Sequence, residues 1–154
     1  MTDKIFRVNM SDLSTKVEAV PEEWAGLGGR GLTSTIVAAE VKPTCHPLGR
    51  NNKLILAPGL LSGTAAANSG RLSCGAKSPL TGTIKEANSG GQGAQVLARL
   101  GYAAIVLEGK PADDTRYKII INPDGVSVEA DNSLKMLGNY RSEERFSRNA
   151  ETVG

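Results

Sequence analysis

The chain has 154 residues, 40% of them hydrophobic, with only 4% aromatic content and 18 glycines. That composition suits one turn-rich domain with a modest core and argues against a helical bundle. The formal net charge is +2, and the basic residues are scattered rather than clustered with aromatics, which excludes the electrostatic footprint of a nucleic-acid binder.

In chain order, residues 4–9 and 16–20 are short alternating runs around the polar segment Met10-Ser-Asp-Leu-Ser-Thr15 and predict a hairpin. Pro21-Glu-Glu-Trp24 opens with proline and acids suited to a first helical turn, and Gly28-Gly29 ends that short helix. A second helix is predicted over 32–41, with Ser and Thr as caps at its start and Pro43 closing it. Residues 53–57 form an apolar run before Pro58-Gly59 and read as a buried strand delivering a loop. Strands follow at 71–77 and 83–87, around a turn at 79–82. Ala94, Val96, Leu97 and Leu100 space as a helix over 92–100, stopped by Gly101. Residues 103–107 read as a central strand, and 117–121 with 125–128 as a hairpin across Asn122-Pro-Asp-Gly125. No apolar run approaches the ~18 residues of a membrane helix, and the N-terminus lacks the pattern of a secretion signal, so a cytoplasmic protein is expected.

The most informative stretch is 69–91, which sets Arg71 and Lys77 among Gly, Ser and Asn. Glycine backbone lets a ligand approach its N–H groups closely, and Asn and Ser add short polar arms, a combination suited to a phosphorylated, heteroatom-rich cofactor. The same residues also serve as ordinary turns between strands. A helix starting near Gly90 would leave the N–H groups of Ser89 to Gly91 as orphan donors for an anion.

Two tempting motifs fail. Gly29-x-Gly31-x-x-Ser34 follows a short helix rather than a strand and lacks the βαβ context of a dinucleotide site. Gly70 to Ser78 resembles a phosphate loop, but Ala76 separates Gly75 from Lys77 and breaks the required Gly-Lys adjacency. His46, the one histidine, has no partner at ligand spacing and reads as a loop residue. Cys45 and Cys74 form no C-x-x-C pair, so no metal site is expected from this chain and both read as plain thiols.

Seven blocks in order give a resemblance: Ile5-Phe-Arg-Val-Asn9, Leu27-Gly-Gly-Arg-Gly-Leu32, Asn52-Lys-Leu-Ile-Leu-Ala-Pro-Gly59 with Ser62-Gly-Thr64, Ser69-Gly-Arg71, Lys77-Ser-Pro-Leu-Thr-Gly82, Ala87-Asn-Ser-Gly-Gly91, and Gly101-Tyr-Ala-Ala-Ile-Val-Leu-Glu-Gly-Lys110. Together they resemble the N-terminal domain of the tungsten-containing aldehyde ferredoxin oxidoreductases. The resemblance implies an α+β fold, with β-rich antiparallel sheets and a few short helices forming a base for the pterin cofactor. Residues 1–140 would be a partial copy of that domain, roughly its first two thirds, a size compatible with ordinary domains. Residues 141–154 read as a non-native tail, because one legal codon choice for residues 141–151 spells a common sequencing-library adapter.

The resemblance also implies the site. Arg71 matches an arginine that contacts the tungstopterin and lies between it and an iron–sulfur cluster, a role suited to a planar guanidinium. Asn88 and Gly90 match cofactor-contacting positions, with Ser89, Gly91 and Lys77 as further candidates. Ser89 has a competing reading as a cap of the following helix, and Lys77 one as a solvated strand-end lysine. The parent enzyme would hold a tungsten–bis-pterin, with molybdenum as an alternative metal, and a 4Fe-4S cluster whose cysteine ligands this sequence lacks. It would oxidise an aldehyde to a carboxylic acid and pass electrons to ferredoxin, with a homodimer possible and neither nucleic acid nor membrane as partner. No catalytic proton donor is assigned to this chain, and the isolated chain is expected to be inactive. The rival expectation is a free-standing, noncatalytic pterin-binding or scaffold subunit.

Overall fold

A computed structural model describes residues 2–123 and 125–138; the tail read from the sequence at 141–154 lies outside them. The chain divides into two compact units, 1–112 and 113–154. The first unit contains eight elements besides one 3-10 turn: β1 (Lys4–Asn9), β2 (Ser14–Ala19), α1 (Gly29–Glu40), β3 (Lys53–Pro58), β4 (Arg71–Lys77), β5 (Ile84–Gly90), α2 (Gln92–Arg99) and β6 (Tyr102–Glu108). In the second unit, β7 (Tyr117–Asn122) and β8 (Gly125–Ala130) pair as the expected hairpin, followed by a 3-10 turn at Asn132–Leu134. No helix among the described residues is long and apolar enough to cross a membrane.

The six strands of the first unit form one sheet in the order β2-β1-β6-β3-β4-β5. It is antiparallel throughout except that β1 runs parallel to β6. The α+β class expected from the sequence is therefore present, with one parallel pair added. The central position of β6 explains its unbroken apolar run, since Ala103, Ala104, Ile105 and Val106 are all buried and successive side chains point to opposite faces. Pro58 sits where β3 no longer pairs with β6, so its missing N–H costs the ladder nothing there.

One face of the sheet is covered by α1. Leu32, Thr33, Ile36 and Val37 recur at helical spacing and are buried against Ile5, Ile55, Ala57, Ala104 and Val106. The helix starts three residues before the predicted Leu32, through the glycines around Arg30. Its serine and threonine residues do not cap it: Gly28 is the N-cap without a side-chain bond, and the Thr33 and Thr35 hydroxyls donate back to the carbonyls of Arg30 (3.2 Å) and Gly31 (2.8 Å). The first predicted helix shrinks to a 3-10 turn, Glu22–Trp24, which buries Trp24. Close approach of α1 to β4 requires Gly75, where an added Cβ would lie 2.6 Å from Thr33 Cβ. On the opposite face α2 buries Ala94 and Leu97, whereas Val96 points outward and is 46% exposed.

Where α1 ends, a charge network spans five elements. Glu40 accepts from Arg7 of β1 at 2.6 and 2.8 Å and from Lys53 of β3 at 2.5 Å, while Lys53 also pairs with Glu108 of β6 at 2.7 Å. Arg7 further donates to Glu18 of β2, which Lys16 contacts at 2.9 Å. Burial pushes the Glu40 carboxyl up, but the hydrogen bonds from Arg7 and Lys53 outweigh it, so its pKa falls below the ordinary 4.5.

Two predictions follow from this packing. Gly75→Ala should destabilise the first unit by about 1–3 kcal/mol, because neither β4 nor the α1 backbone can retreat without opening the core; chemical denaturation measures it. A carboxyl whose folded pKa is depressed adds stability above its unfolded pKa and loses it as pH falls through the folded value. Stability should therefore drop as pH falls below about 4.5, and Glu40→Gln should flatten that acid limb. At pH 7 the same substitution should cost about 1–3 kcal/mol by leaving Arg7 and Lys53 short of an acceptor.

Candidate functional site

The polar cluster foreseen at 69–91 is built by the ladder between β4 and β5. Its register sets Arg71 opposite Gly90, Leu72 opposite Ser89, Ser73 opposite Asn88 and Gly75 opposite Glu86. Alternation then places Arg71, Ser73, Asn88, Glu86 and Gly90 on the α1 side, with Leu72 and Ser89 on the α2 side. Arg71 and Asn88 are exposed, and Arg71 Nη1 donates to Asn88 Oδ1 at 3.0 Å. Asn88 Nδ2 in turn lies 3.4 Å from Glu86 Oε1, and Glu86 Oε2 lies 3.3 Å from Arg30 Nε at the start of α1. The row Arg30, Glu86, Asn88, Arg71 thus crosses from the helix to the sheet edge. A hydrogen bond from Ser73 is the largest influence on the Glu86 carboxyl, opposed by burial and reinforced by Asn88 and Arg30, and the net effect holds it below the ordinary glutamate range. An open depression of about 500 Å³, lined by Arg30, Ser34, Ile84, Lys85 and Glu86, adjoins the row.

The segment 88–90 belongs to a strand rather than to a loop, which revises the expected donors. Gly91 N–H donates to Gly70 O at 3.1 Å, so it is already used. With that pair hydrogen-bonded, the antiparallel alternation turns Ser89 N–H towards β4 and Gly90 N–H towards the free edge of the sheet. Of the three expected orphan donors, only Gly90 faces outward. Ser89 does not cap α2: its hydroxyl donates to Gly90 O at 3.1 Å, and Gly91, at φ 129, is the N-cap without a side-chain bond. That φ is open to glycine and closed to most residues, and an added Cβ at Gly91 would meet nothing within 4 Å.

Lys77 is not brought to this cluster. It closes the other end of β4, where its ammonium donates to the carbonyls of Pro43 and of Cys45 (2.7 Å), tying down the chain just after α1. Gln95 is the contributor that sequence reading missed. From α2 its side chain accepts from Gly63 N–H and donates to Ser69 Oγ at 3.1 Å, while Ser62 Oγ donates to Ser69 O at 2.7 Å, so one amide pins the loop leading to Arg71. A glutamine in the apolar spacing of α2 was the available signal.

The rejected motifs stay rejected on geometry. Gly29 and Gly31 lie inside the first turn of α1, and Gly70 to Lys77 runs into a strand instead of forming a phosphate-wrapping loop. His46 Nδ1 accepts from Leu48 N–H at 3.2 Å within its own exposed loop. Burial, with a smaller contribution from Glu86, pushes the Cys74 thiol up and keeps it protonated and unreactive at neutral pH.

A mixed sheet with a helix on each face, carrying an arginine and an amide side by side on its last two strands, defines an α+β domain. The comparisons with known proteins give that class a family: the chain belongs to the family described as the aldehyde ferredoxin oxidoreductase N-terminal domain, which matches residues 5–153. It is 49% identical over 109 residues to the tungsten-containing aldehyde ferredoxin oxidoreductase of Pyrococcus furiosus, a span that covers 70% of this chain and 18% of that protein. To the protein of the same name from Pyrococcus horikoshii it is 43% identical over 142 residues, covering 91% and 23%. A solved structure, the active-site complex BamBC of benzoyl coenzyme A reductase with 1,5-dienoyl-CoA, superposes with a TM-score of 0.89 at 28% identity, over 97% of this chain and 23% of that one. The chain thus spans about a fifth of the length of the curated relatives it matches.

Because the Gln95 side chain ties α2 to Gly63 and Ser69 in the loop before Arg71, Gln95→Leu should free that loop. Amide exchange at Gly63 should accelerate by about tenfold, the equivalent of one lost hydrogen bond, with Ile55 in β3 unchanged. Equal acceleration at both amides would mean that the substitution acts on global stability instead.

Proposed function

We propose that this chain forms part of the floor of a tungsten–bis-pterin site in an oxidoreductase that converts aldehydes to carboxylic acids, with ferredoxin as electron acceptor. The observation that supports it best is the pairing of Arg71 with Asn88, opposite Gly90, at a sheet edge. The donor set suits such a group. Arg71 spends one N–H on Asn88 and has others to offer an anionic oxygen or a dithiolene sulfur, and Gly90 N–H faces outward beside the open Cα of Gly91. Asn88 adds one amide N–H and one oxygen lone pair, matching a pterin ring that both donates and accepts.

When bound, the metal–pterin group supplies the two-electron chemistry, with tungsten suggested by the names of the relatives and molybdenum an alternative metal. This chain's residues bind and orient. Arg71 fixes one side of the group and places positive potential there, stabilising negative charge on the cofactor and favouring its reduced form. Gly90 and Gly91 keep the backbone low enough for close approach. Lys77 serves the fold, since its ammonium is committed to two carbonyls far down β4 from Arg71. An iron–sulfur cluster on the far side of Arg71 would take its cysteine ligands from outside this sequence, and the acids or histidines that act on the aldehyde would also come from elsewhere.

Sequencing the source DNA beyond the codon for Tyr140 tests the parent assignment: a frame continuing for several hundred residues with C-x-x-C-x-x-x-C supports it, and a genuine stop favours a noncatalytic pterin-binding subunit. In the enzyme encoded by the complete frame, Arg71→Ala should lower metal and pterin content per polypeptide by roughly tenfold, the loss of charge-assisted contacts. Lys77→Ala should lower stability and leave cofactor content unchanged. Full cofactor content in an Arg71→Ala, Asn88→Ala double variant would sink the assignment.

A further inference from the structure

We infer that Glu86 is a positioning residue: its carboxylate, held by Arg30, fixes which way round the Asn88 amide sits and so steadies the Arg71 guanidinium for its ligand. The inference deepens the pterin-site reading and rests on it for the identity of the ligand. Its geometric core does not. An arginine has no acceptor, and an ionised carboxylate has no donor. With Arg71 3.0 Å from one end of the amide and Glu86 3.4 Å from the other, chemistry permits only one orientation, Oδ1 towards Arg71 and Nδ2 towards Glu86. Without Glu86 the exposed Arg71 contact would be the amide's one orienting restraint, and whenever the amide turned it would point N–H at the guanidinium and expel it.

Glu86 is equipped for that task. Its side chain is only 11% exposed although it stands on a strand that is otherwise open to solvent. Three groups face it: Arg30 from α1, Ser73 from the neighbouring strand and Asn88 from its own. The Arg30 side chain is itself 71% exposed, and its guanidinium has no other partner among the described contacts, so it serves here to hold the carboxylate in place. The start of α1 is thereby linked through two side chains to the residue that would meet the cofactor. One substitution at Glu86 should thus alter Arg71 without touching it.

Nuclear magnetic resonance on the 154-residue chain tests the geometry, read at the Asn88 side-chain amide and at the Arg71 guanidinium. In the wild type the Asn88 amide protons should shift as Glu86 gains its proton on acidification, with a midpoint below the ordinary glutamate value; Glu86→Gln should abolish that titration. Glu86→Leu should speed exchange of the Arg71 guanidinium protons by about three- to tenfold, the equivalent of one hydrogen bond, while Glu86→Gln, which retains an acceptor, should stay within about twofold. An Asn88 signal that ignores pH, or Arg71 exchange unmoved by Glu86→Leu, overturns the inference. The second arm uses the cofactor-loaded enzyme from the complete reading frame and measures the rate at which pterin is released. Release three- to tenfold faster in Glu86→Leu, with Glu86→Gln near wild type, supports positioning. Wild-type release in Glu86→Leu alongside rapid release in Arg71→Ala defeats the role of Glu86 alone. Wild-type release in Arg71→Ala itself defeats the pterin-site reading, and the titration of Asn88 then stands on its own.

Discussion

The ladder between β4 and β5 is the constraint on which the rest of the site depends. Seven residue pairs lock its register, and a slip of one residue would send Asn88 and Glu86 to the α2 face, away from Arg71 and Arg30. Nothing in β5 itself could enforce this, for its side chains are mostly exposed and few are apolar. Register is imposed from the other side, where Ser73 and Gly75 of β4 fit under α1, and α1 can approach only because Gly75 carries no side chain. The polar row at the surface is therefore a consequence of close packing in the core. A second restraint, the Glu40 network, fastens the far end of α1 to β1 and β3. The helix is held at both ends, by packing at one and by charge at the other.

Much of this fold could be read from the residues, and the reasons differ along the chain. The predicted limits of β4 match the structure because a charged residue stands at each end of a short run of small and apolar ones. The central strand β6 was legible from an uninterrupted apolar stretch, which only a strand covered on both faces would need. Helix α1 was recognisable from its apolar spacing, but its start was not, since glycine is a poor helix former and here is required for approach to the sheet. The end of β5 was illegible for a related reason. Asn88, Ser89 and Gly90 are turn residues by preference, and tertiary pairing with Leu72 and Arg71 overrides it.

The candidate site divides in the same way. Arg71, Asn88 and Gly90 were identified through a family resemblance, and the structure gathers them at one place. Their dependence on Glu86 and Arg30 left no local trace, because Arg30 and Glu86 are 56 positions apart in sequence and meet only through α1 and β5. The Arg7 to Glu40 pair, 33 positions apart, was hidden for the same reason. Lys77 shows the converse: a cation inside a stretch whose composition suits anion binding, and whose charge the fold spends on two carbonyls. Sequence spacing identifies which groups are present, whereas their assignment to ligand or to scaffold is settled by what the chain folds against them.

The position of β5 at the end of the sheet has one more consequence. Its outward row of N–H and C=O groups, including the Gly90 donor, is unmatched by any strand among the described residues. Such a row is a template for a strand from another molecule, and the apolar Ile84, 42% exposed, would favour the encounter. Lys85 and Glu86, side by side on opposite faces, are the only charges on this strand that oppose stacking. Handled as an isolated unit, the domain would then be prone to self-association along this margin, and the exposed backbone around Gly90 is the place where aggregation would begin.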